Sequence, residues 1–596
     1  MRTENSLLLA SIGRQNVARQ GQGNCLMCKR ALILFLLALL ASTLWPTVAG
    51  AEGNLTISIV GYLVDSQGQP VRGASLLLTL DDRPLSLPRE LSVSPKDGTF
   101  AASFDISTDE FEQLVGNERL LLVRVESPYY QDAVWQAKMS TLAINHGRMV
   151  IDVGELVLSR AFGPGSWLAL AVFLATLLAI VFERLHRTTV ALLGATGILL
   201  STHTLGHFLP SWHTLTFEQA VGYIDLEVIF LLLGMMIIIS VLEETGVFQW
   251  FAFAAYRSSG GRPWLLAIML MLVTAVLSGM LDNVTTVLLI SPLTIEIALQ
   301  MRLDPLSLLI PEILASNIGG AATLIGDPPN ILIGSYAGLT FNDFLREVAP
   351  GVGLTLLVVI PFVVILYRKQ YAHASKQRSP ALEQRLRDDA RITQPQQLKR
   401  TLAVLVITFA GFVLGSGVHL PPAVPALFGA ALLLAWVQPD LVKTFGRVDW
   451  TTILFFIGLF VQVGALQEVG FLSEIAAASA SIVGSNLTVA MLFVFALTLV
   501  GSALVDNIPF TAAMLPVVSY LSTTMGPDGE ILYWALAFGA CYGGNGTLIG
   551  ASANLVVAGY AERVGFPLSY GRYLRVGLPV TVLSGLVAAL WLLARL

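Results

Sequence analysis

SNIGGAATLIGDPPN, Ser316 to Asn330, lies inside an apolar region that runs from Leu306 to Ile333. It packs Gly319, Gly320, Gly326, Pro328 and Pro329 into a stretch that is otherwise hydrophobic enough for a membrane helix. Glycine adds backbone freedom and proline removes a donor while clashing with the preceding turn, so a continuous helix cannot persist here. In hydrocarbon, unwound backbone is tolerated only where protein buries it or where it lines a cavity. The stretch therefore predicts a transmembrane helix broken at a binding site.

The same pattern returns in GGNGTLIGASAN, Gly543 to Asn554. A constant shift of 224 positions matches Gly319, Gly320, Thr323, Gly326 and Asn330 with Gly543, Gly544, Thr547, Gly550 and Asn554, and Asn545 falls within the second copy. Upstream, that shift pairs Asp282-Asn283 with Asp506-Asn507, Ser278 with Ser502, Glu244-x-Gly246 with Glu468-x-Gly470, Gly234 with Gly458, and Asp225 with Asp449. This is an internal repeat, and interrupted apolar segments at corresponding positions of two halves mark a transporter's binding region.

Composition agrees: of 596 residues 55% are hydrophobic and 13% charged, about half the charged share of soluble domains. The chain reads as a polytopic membrane protein. Its net charge of −5 decides little, because the position of Lys and Arg orients spans and their sum does not. Cys25, Cys28 and Cys541 offer no disulfide framework, and Cys25-x-x-Cys28 reads as chance.

At the N-terminus a basic flank (Cys28 to Arg30), an apolar core (Ala31 to Trp45) and Ala49-Gly50-Ala51 form a secretory signal peptide over residues 1–51, with an uncleaved anchor as the alternative. Residues 1–26 read as a start-site artefact ahead of Met27. Residues 52–160 then alternate apolar and polar positions between turn signals, which predicts a periplasmic all-β sandwich. GYLVDSQGQPVRGASLLL with KDGTFAASFDIS resembles the carboxypeptidase regulatory-like and immunoglobulin-like modules of exported proteins. That implies a structural cap or a sensor module.

From Trp167 the apolar spans orient by their basic residues. Arg184 with Arg187, Arg257 with Arg262, Arg302, and Arg368 with Lys369 mark the cytoplasmic side of repeat 1, residues 165–368. A polar, basic linker, residues 369–400, reads as a solvated loop and not a nucleic-acid patch; repeat 2 fills residues 401–596. Each half then has five crossings and one re-entrant hairpin, Trp264–Leu299 in the first and Asn486–Ser522 in the second. An odd number of crossings inverts the second half, so the two hairpin tips approach from opposite sides and meet near the midplane.

Asp282 and Asp506 fall at those tips. Burial favours the protonated carboxyl and a bound cation the carboxylate, which suits such a pair to exchange H⁺ for Na⁺. The alternative is that each Asp-Asn only caps the return helix. Asn283, Asn507, Asn330 and Asn554 supply amide groups beside unwound carbonyls, which suit Na⁺, while helix N-termini suit an anion. Thr323 and Thr547 either join a site or bond back to their own helix. Asp327 has Ala551 as its counterpart, so it either caps a helix or selects the substrate. Glu244 and Glu468 read as interfacial. The seven His lie in the exported domain, at span ends or in loops, against a core metal site or proton wire. No cofactor motif, P-loop or nucleophile elbow is present, which points away from an enzyme and toward gradient-driven or passive flow.

These residues resemble the ion transporter superfamily. SNIGGAATLIGDPPN and LDNVTTVLLISP, echoed by GGNGTLIGASAN and VDNIPFTAAMLP, are similar to the melanosomal P protein group and its bacterial relatives, near arsenite pumps, D-type Na⁺/H⁺ antiporters and divalent anion/Na⁺ symporters. The resemblance covers about residues 165–596 and implies a homodimer whose hairpin-bearing transport part moves against a scaffold. It places one site at Asp282, Asn283 and Gly319–Asn330, and the other at Asp506, Asn507 and Gly543–Asn554. The tips read Asp-Asn-Val and Asp-Asn-Ile where the symporters have Ser-Asn-Thr, which speaks against a dicarboxylate.

The expectation is an all-α polytopic protein of the bacterial inner membrane, carrying inverted repeats and an N-terminal β-domain. It works as a secondary transporter, cation-coupled through Na⁺ or H⁺, in contact with lipid and an ion. The first alternative is a carrier of a small anion: arsenite, chloride, or a di- or tricarboxylate such as citrate. No Arg or Lys is expected at the depth of the tips. The second alternative is a membrane sensor that uses the β-domain.

Overall fold

The computed structural model describes residues 161–182, 185–373 and 391–596, Gln384 and Arg387, and within 54–159 the strands with a few flanking residues. The signal segment, Arg184 and most of the linker lie outside the described residues. The chain divides into two compact units, Met1–Ser159 and Arg160–Leu596.

The described residues of the first unit form strands β1 (Asn54–Asp65), β2 (Ser75–Leu80), β3 (Arg83–Pro84), β4 (Leu91–Ser92), β5 (Thr99–Ser107), β6 (Leu120–Glu126), β7 (Ala133–Lys138) and β8 (Arg148–Leu158). One sheet runs β5-β1-β8, with β1 antiparallel to β5 and parallel to β8; the other joins β3, β2, β6 and β7, with β4 also on β2. Ile57, Ile59 and Leu63 are fully buried while Ser58, Val60 and Tyr62 between them are half-exposed, the two-residue period of a strand with one face in a core.

The second unit is helical. Among the described residues eleven helices are long and apolar enough to cross a membrane. Leu226–Glu243 shows why: eighteen residues, apolar on every side, rise about 27 Å, close to the hydrocarbon thickness. The predicted hairpins Trp264–Leu299 and Asn486–Ser522 are helical on both arms, with ends moved by a few residues.

Val247–Ser259 and Phe471–Val483 were not anticipated, nor were the shorter Phe217–Tyr223, Phe341–Glu347, Arg368–His373 and Leu441–Gly446. At thirteen residues each the first two are too short to span, so hydropathy alone does not flag them. They explain the repeated Glu-x-Gly. Gly246 (φ +80°) and Gly470 (φ +88°) turn the chain in the left-handed region at the start of each.

Pro263–Met280 and Asn283–Gln300 form the first hairpin, and Leu487–Leu504 and Asn507–Met525 the second. Each lies beside a broken helix: Leu306–Gly320 with Pro328–Ala337, and Ile531–Gly543 with Ser552–Arg563. None of the break glycines matched between repeats has a positive φ. They serve close approach instead. A Cβ on Gly319 would stand 2.3 Å from the Ala275 carbonyl oxygen, and one on Gly543 2.5 Å from that of Leu499, so hairpin backbone rides directly on the break.

Gly319→Ala and Gly543→Ala should each lower stability by about 1–3 kcal/mol, because the obstacle is backbone. Gly353→Ala, in Ala349–Leu366 with nothing within 4 Å of its Cβ, should be neutral or raise stability by about 0.5–1 kcal/mol. Thermal unfolding in detergent reads the difference. Equal melting of all three would mean that the breaks are not packed as described.

Candidate functional site: a pocket between two hairpin tips

The breaks are held open by their own side chains. Asn330 Nδ2 donates to the carbonyls of Gly320 (3.3 Å), Ala321 (3.1 Å) and Thr323 (2.8 Å), and Asn554 Nδ2 to those of Gly544 (2.8 Å) and Thr547 (2.9 Å). These are carbonyls that an ending helix leaves without an internal donor. Thr323 and Thr547 donate to Gly279 O and Ala503 O, both at 2.5 Å, and Ser278 and Ser502 donate to Ser316 O (2.8 Å) and Ala540 O (2.6 Å). All of these contacts except the one to Ala321 recur at the shift read from the sequence. Both threonines and both asparagines thus spend their donors on shaping the breaks.

Asp282 and Asp506 each cap a return helix: Asp282 Oδ2 accepts from Thr285 N (2.9 Å) and Thr285 Oγ1 (2.8 Å), and Asp506 Oδ1 from Ile508 N (3.1 Å). Beyond capping they differ. Asp506 is buried, accepts from Ser552 Oγ (2.7 Å) and faces Arg187 Nη1 at 3.7 Å. Arg187 also donates to Ser552 Oγ and to Thr452 Oγ1 (3.0 Å), and stands over the Phe455 ring at 5.2 Å. No ion pair joins Asp282 to a Lys or Arg among the described residues.

Asp327 is fully buried. It begins Pro328–Ala337, yet its side chain makes no capping bond: Pro328 and Pro329 have no N–H to offer, and the Asn330 N–H donates to the Asp327 carbonyl at 2.9 Å. The carboxylate turns to the hairpin tips instead: Asn283 Nδ2 donates to Oδ1 at 3.1 Å, and Asn507 Nδ2 lies 3.4 Å from both oxygens. That leaves Asn283 Oδ1, buried in the same place, with no hydrogen-bond partner. Asn317 ties the halves together, accepting from Asn283 (3.4 Å) and donating to Asn545 Oδ1 and Asn554 Oδ1, both at 3.0 Å.

The two residue sets expected to form separate sites are therefore one network around one cavity. Asp282, Asn283, Asp327, Asn507, Ser552 and Arg187 line it, joined by Asp449 and Thr452 from the start of Trp450–Glu468. Its lining carries three carboxylates and one guanidinium. Among the described residues no three His, Cys, Asp or Glu side chains gather as a metal-binding group.

The expectation that no basic side chain reaches the tips is overturned by Arg187. It opens Arg187–Phe208, and that helix packs against Trp450–Glu468 where Gly458 admits Ala191. In the other half Gly234 admits Ala426, which places Pro422 at the position of Arg187. Sequence reasoning also missed Asp449, although its pairing with Asp225 was in view. Glu244 and Glu468 are partnered at span ends, by Arg447 (2.8 Å) and by the Tyr223 hydroxyl (2.6 Å).

Residues 177–539 match the family model described as CitMHS, citrate transporter. A protein of Mycobacterium tuberculosis described as an uncharacterized transporter is 40% identical over 434 residues, covering 72% of this chain and 98% of that protein. This chain belongs to the CitMHS family. The human P protein is 36% identical over 503 residues, 72% of this CitMHS chain and 59% of that protein. The YdaH transporter of Alcanivorax borkumensis aligns in structure with a TM-score of 0.46 at 16% identity, over 72% of this chain and 97% of that one. The resemblance to the ion transporter superfamily thus holds, and the CitMHS chain is a membrane-spanning secondary transporter and not an enzyme.

Proposed function

We propose that this chain couples transport to a cation gradient, Na⁺ or H⁺, as a homodimer in a bacterial inner membrane with its β-domain exported, and that Asp327 and Asp282 are the exchanging carboxylates. One observation carries the reading. The Asp327 carboxylate is buried between amides of both hairpin tips, with no cationic side chain paired to it among the described residues and the Asn283 Oδ1 oxygen free beside it. A carboxylate in that position is neutralised by a proton or by a cation that amide and backbone oxygens help to hold. Asp506, already facing Arg187, has less need of one.

A second reading, a carrier of a small anion, gains from Arg187 in the pocket lining and from the family's description as citrate transporters. Guanidinium binds carboxylates bidentately, and the start of Pro328–Ala337 adds a positive helix end.

The test is pH-dye fluorescence in proteoliposomes after a Na⁺ jump. The cation reading expects a proton flux that needs Asp282 and Asp327. Silence of the wild type toward Na⁺ and other cations, with flux of an anion in its place, would overturn it.

A further inference from the structure

Outside the pocket, the membrane part holds a buried carboxyl that nothing above uses. Glu312 lies in Leu306–Gly320, inside the apolar run that leads to the first break, and is 2% exposed. Its Oε1 accepts from Thr294 Oγ1 on the return helix of the first hairpin (2.6 Å), and its Oε2 has no hydrogen-bond partner. At the shift that relates the repeats its counterpart is Leu536, so packing of this helix does not require a carboxyl.

We infer that Glu312 is a proton-binding site in its own right, separate from the pocket and placed between it and the side of the membrane that the basic residues assign to the cytoplasm. Along the helix Asn317, the hub of the pocket network, stands about 7.5 Å beyond Glu312, and Asp304, paired with Arg572, precedes the start of the helix. Between Asp304 and Glu312, Pro311 removes the donor that would have bonded Ser307 O, and the Tyr371 hydroxyl supplies it instead at 2.8 Å. Tyr371 comes from Arg368–His373 and is buried. No ion pair reaches Glu312 among the described residues. Tyr367 follows Tyr371 at a ring separation of 6.0 Å.

A proton fits this place and a metal ion does not. Hard cations take about six oxygen ligands, whereas here a single carboxyl meets one hydroxyl whose hydrogen already points at it. An unpaired carboxylate in apolar surroundings is costly, and protonating Oε2 removes the charge without another ligand. The inference borrows from the proposed function only the role such a proton would have in coupling; the binding stands alone.

The test is infrared difference spectroscopy of the full chain in liposomes, alternating alkaline and acidic buffer. The expected result is a carboxylic C=O band that appears on acidification, is lost in Glu312→Gln, persists in Asp327→Asn and returns, displaced, in Glu312→Asp. Should Glu312→Gln fail to fold, Thr294→Val, which deletes the one donor, must displace the band in the folded chain. An unchanged band set in Glu312→Gln, or an undisplaced band in Thr294→Val, overturns the proposal. The readout needs no transport, so a silent Na⁺ jump would sink the cation-coupled reading and leave this one standing.

Discussion

Asp327→Asn is expected to abolish cation-driven flux in a chain that folds at least as well as the wild type. The side chain keeps its shape, and an amide oxygen still accepts from Asn283 and Asn507, whose bonds to Asp327 are 3.1 Å and 3.4 Å. What disappears is the charge. An Asp at the centre of a membrane helix costs about 2.5–3.5 kcal/mol on insertion scales, and a cation that neutralises it recovers part of that cost on binding. Losing a term of about 3 kcal/mol weakens cation affinity by about a hundredfold, enough to empty the site at working concentrations. The melting temperature should stay level or rise, since a buried unpaired charge has been removed. Asp282→Asn should show a milder loss, because its carboxylate is half-exposed and already spends one oxygen on the Thr285 cap. Full Na⁺-driven flux in a folded Asp327→Asn chain would end the assignment.

What the sequence disclosed and what it hid follow from the range of the interactions. The breaks were legible because Gly and Pro act locally, and the fixed shift located both of them. The capping by Asp282 and Asp506 was legible for the same reason: its partners lie within three residues. Asp327 stood undecided between cap and site, although Pro328-Pro329 beside it leave only the Asn330 N–H for a cap to accept. Arg187 was hidden. A basic residue at the start of a span reads as a topology marker, and nothing local reveals that Ser552, 365 residues later, will meet it. Glu312 was hidden differently, as one carboxyl within an apolar run whose hydropathy it barely lowers. The thirteen-residue helices fell below any spanning threshold, though the glycine that starts each one was already matched between the repeats.

Arg187→Gln is expected to be the most destabilising of the single changes, and its double mutant with Asp506→Asn to decide between the two transport readings. The side chains are 19% and 5% exposed, so the pair is largely out of water. Removing one member of a buried pair leaves the other charge uncompensated, which costs about 3–5 kcal/mol; the partial exposure of Arg187 argues for the lower end. Ser552 bonds Asp506 at 2.7 Å and cannot replace a guanidinium, since a hydroxyl dipole offsets only part of a full charge. Changing both residues removes both charges together, and most of the stability should return, giving a coupling energy of about 2 kcal/mol or more across the cycle. Melting of the four chains in detergent measures it, and additive losses would mean that the pair is not joined in solution. Transport by the restored double mutant then separates the alternatives. If Arg187 serves only to hold Asp506 and position the second hairpin, cation-driven flux survives in the double mutant, because Asp327 and Asp282 are untouched. If Arg187 instead grips an anionic substrate, the double mutant folds, still binds the coupling cation at Asp327, and moves no anion, since neither remaining positive element of the pocket, the start of Pro328–Ala337 or of Ser552–Arg563, carries a full charge.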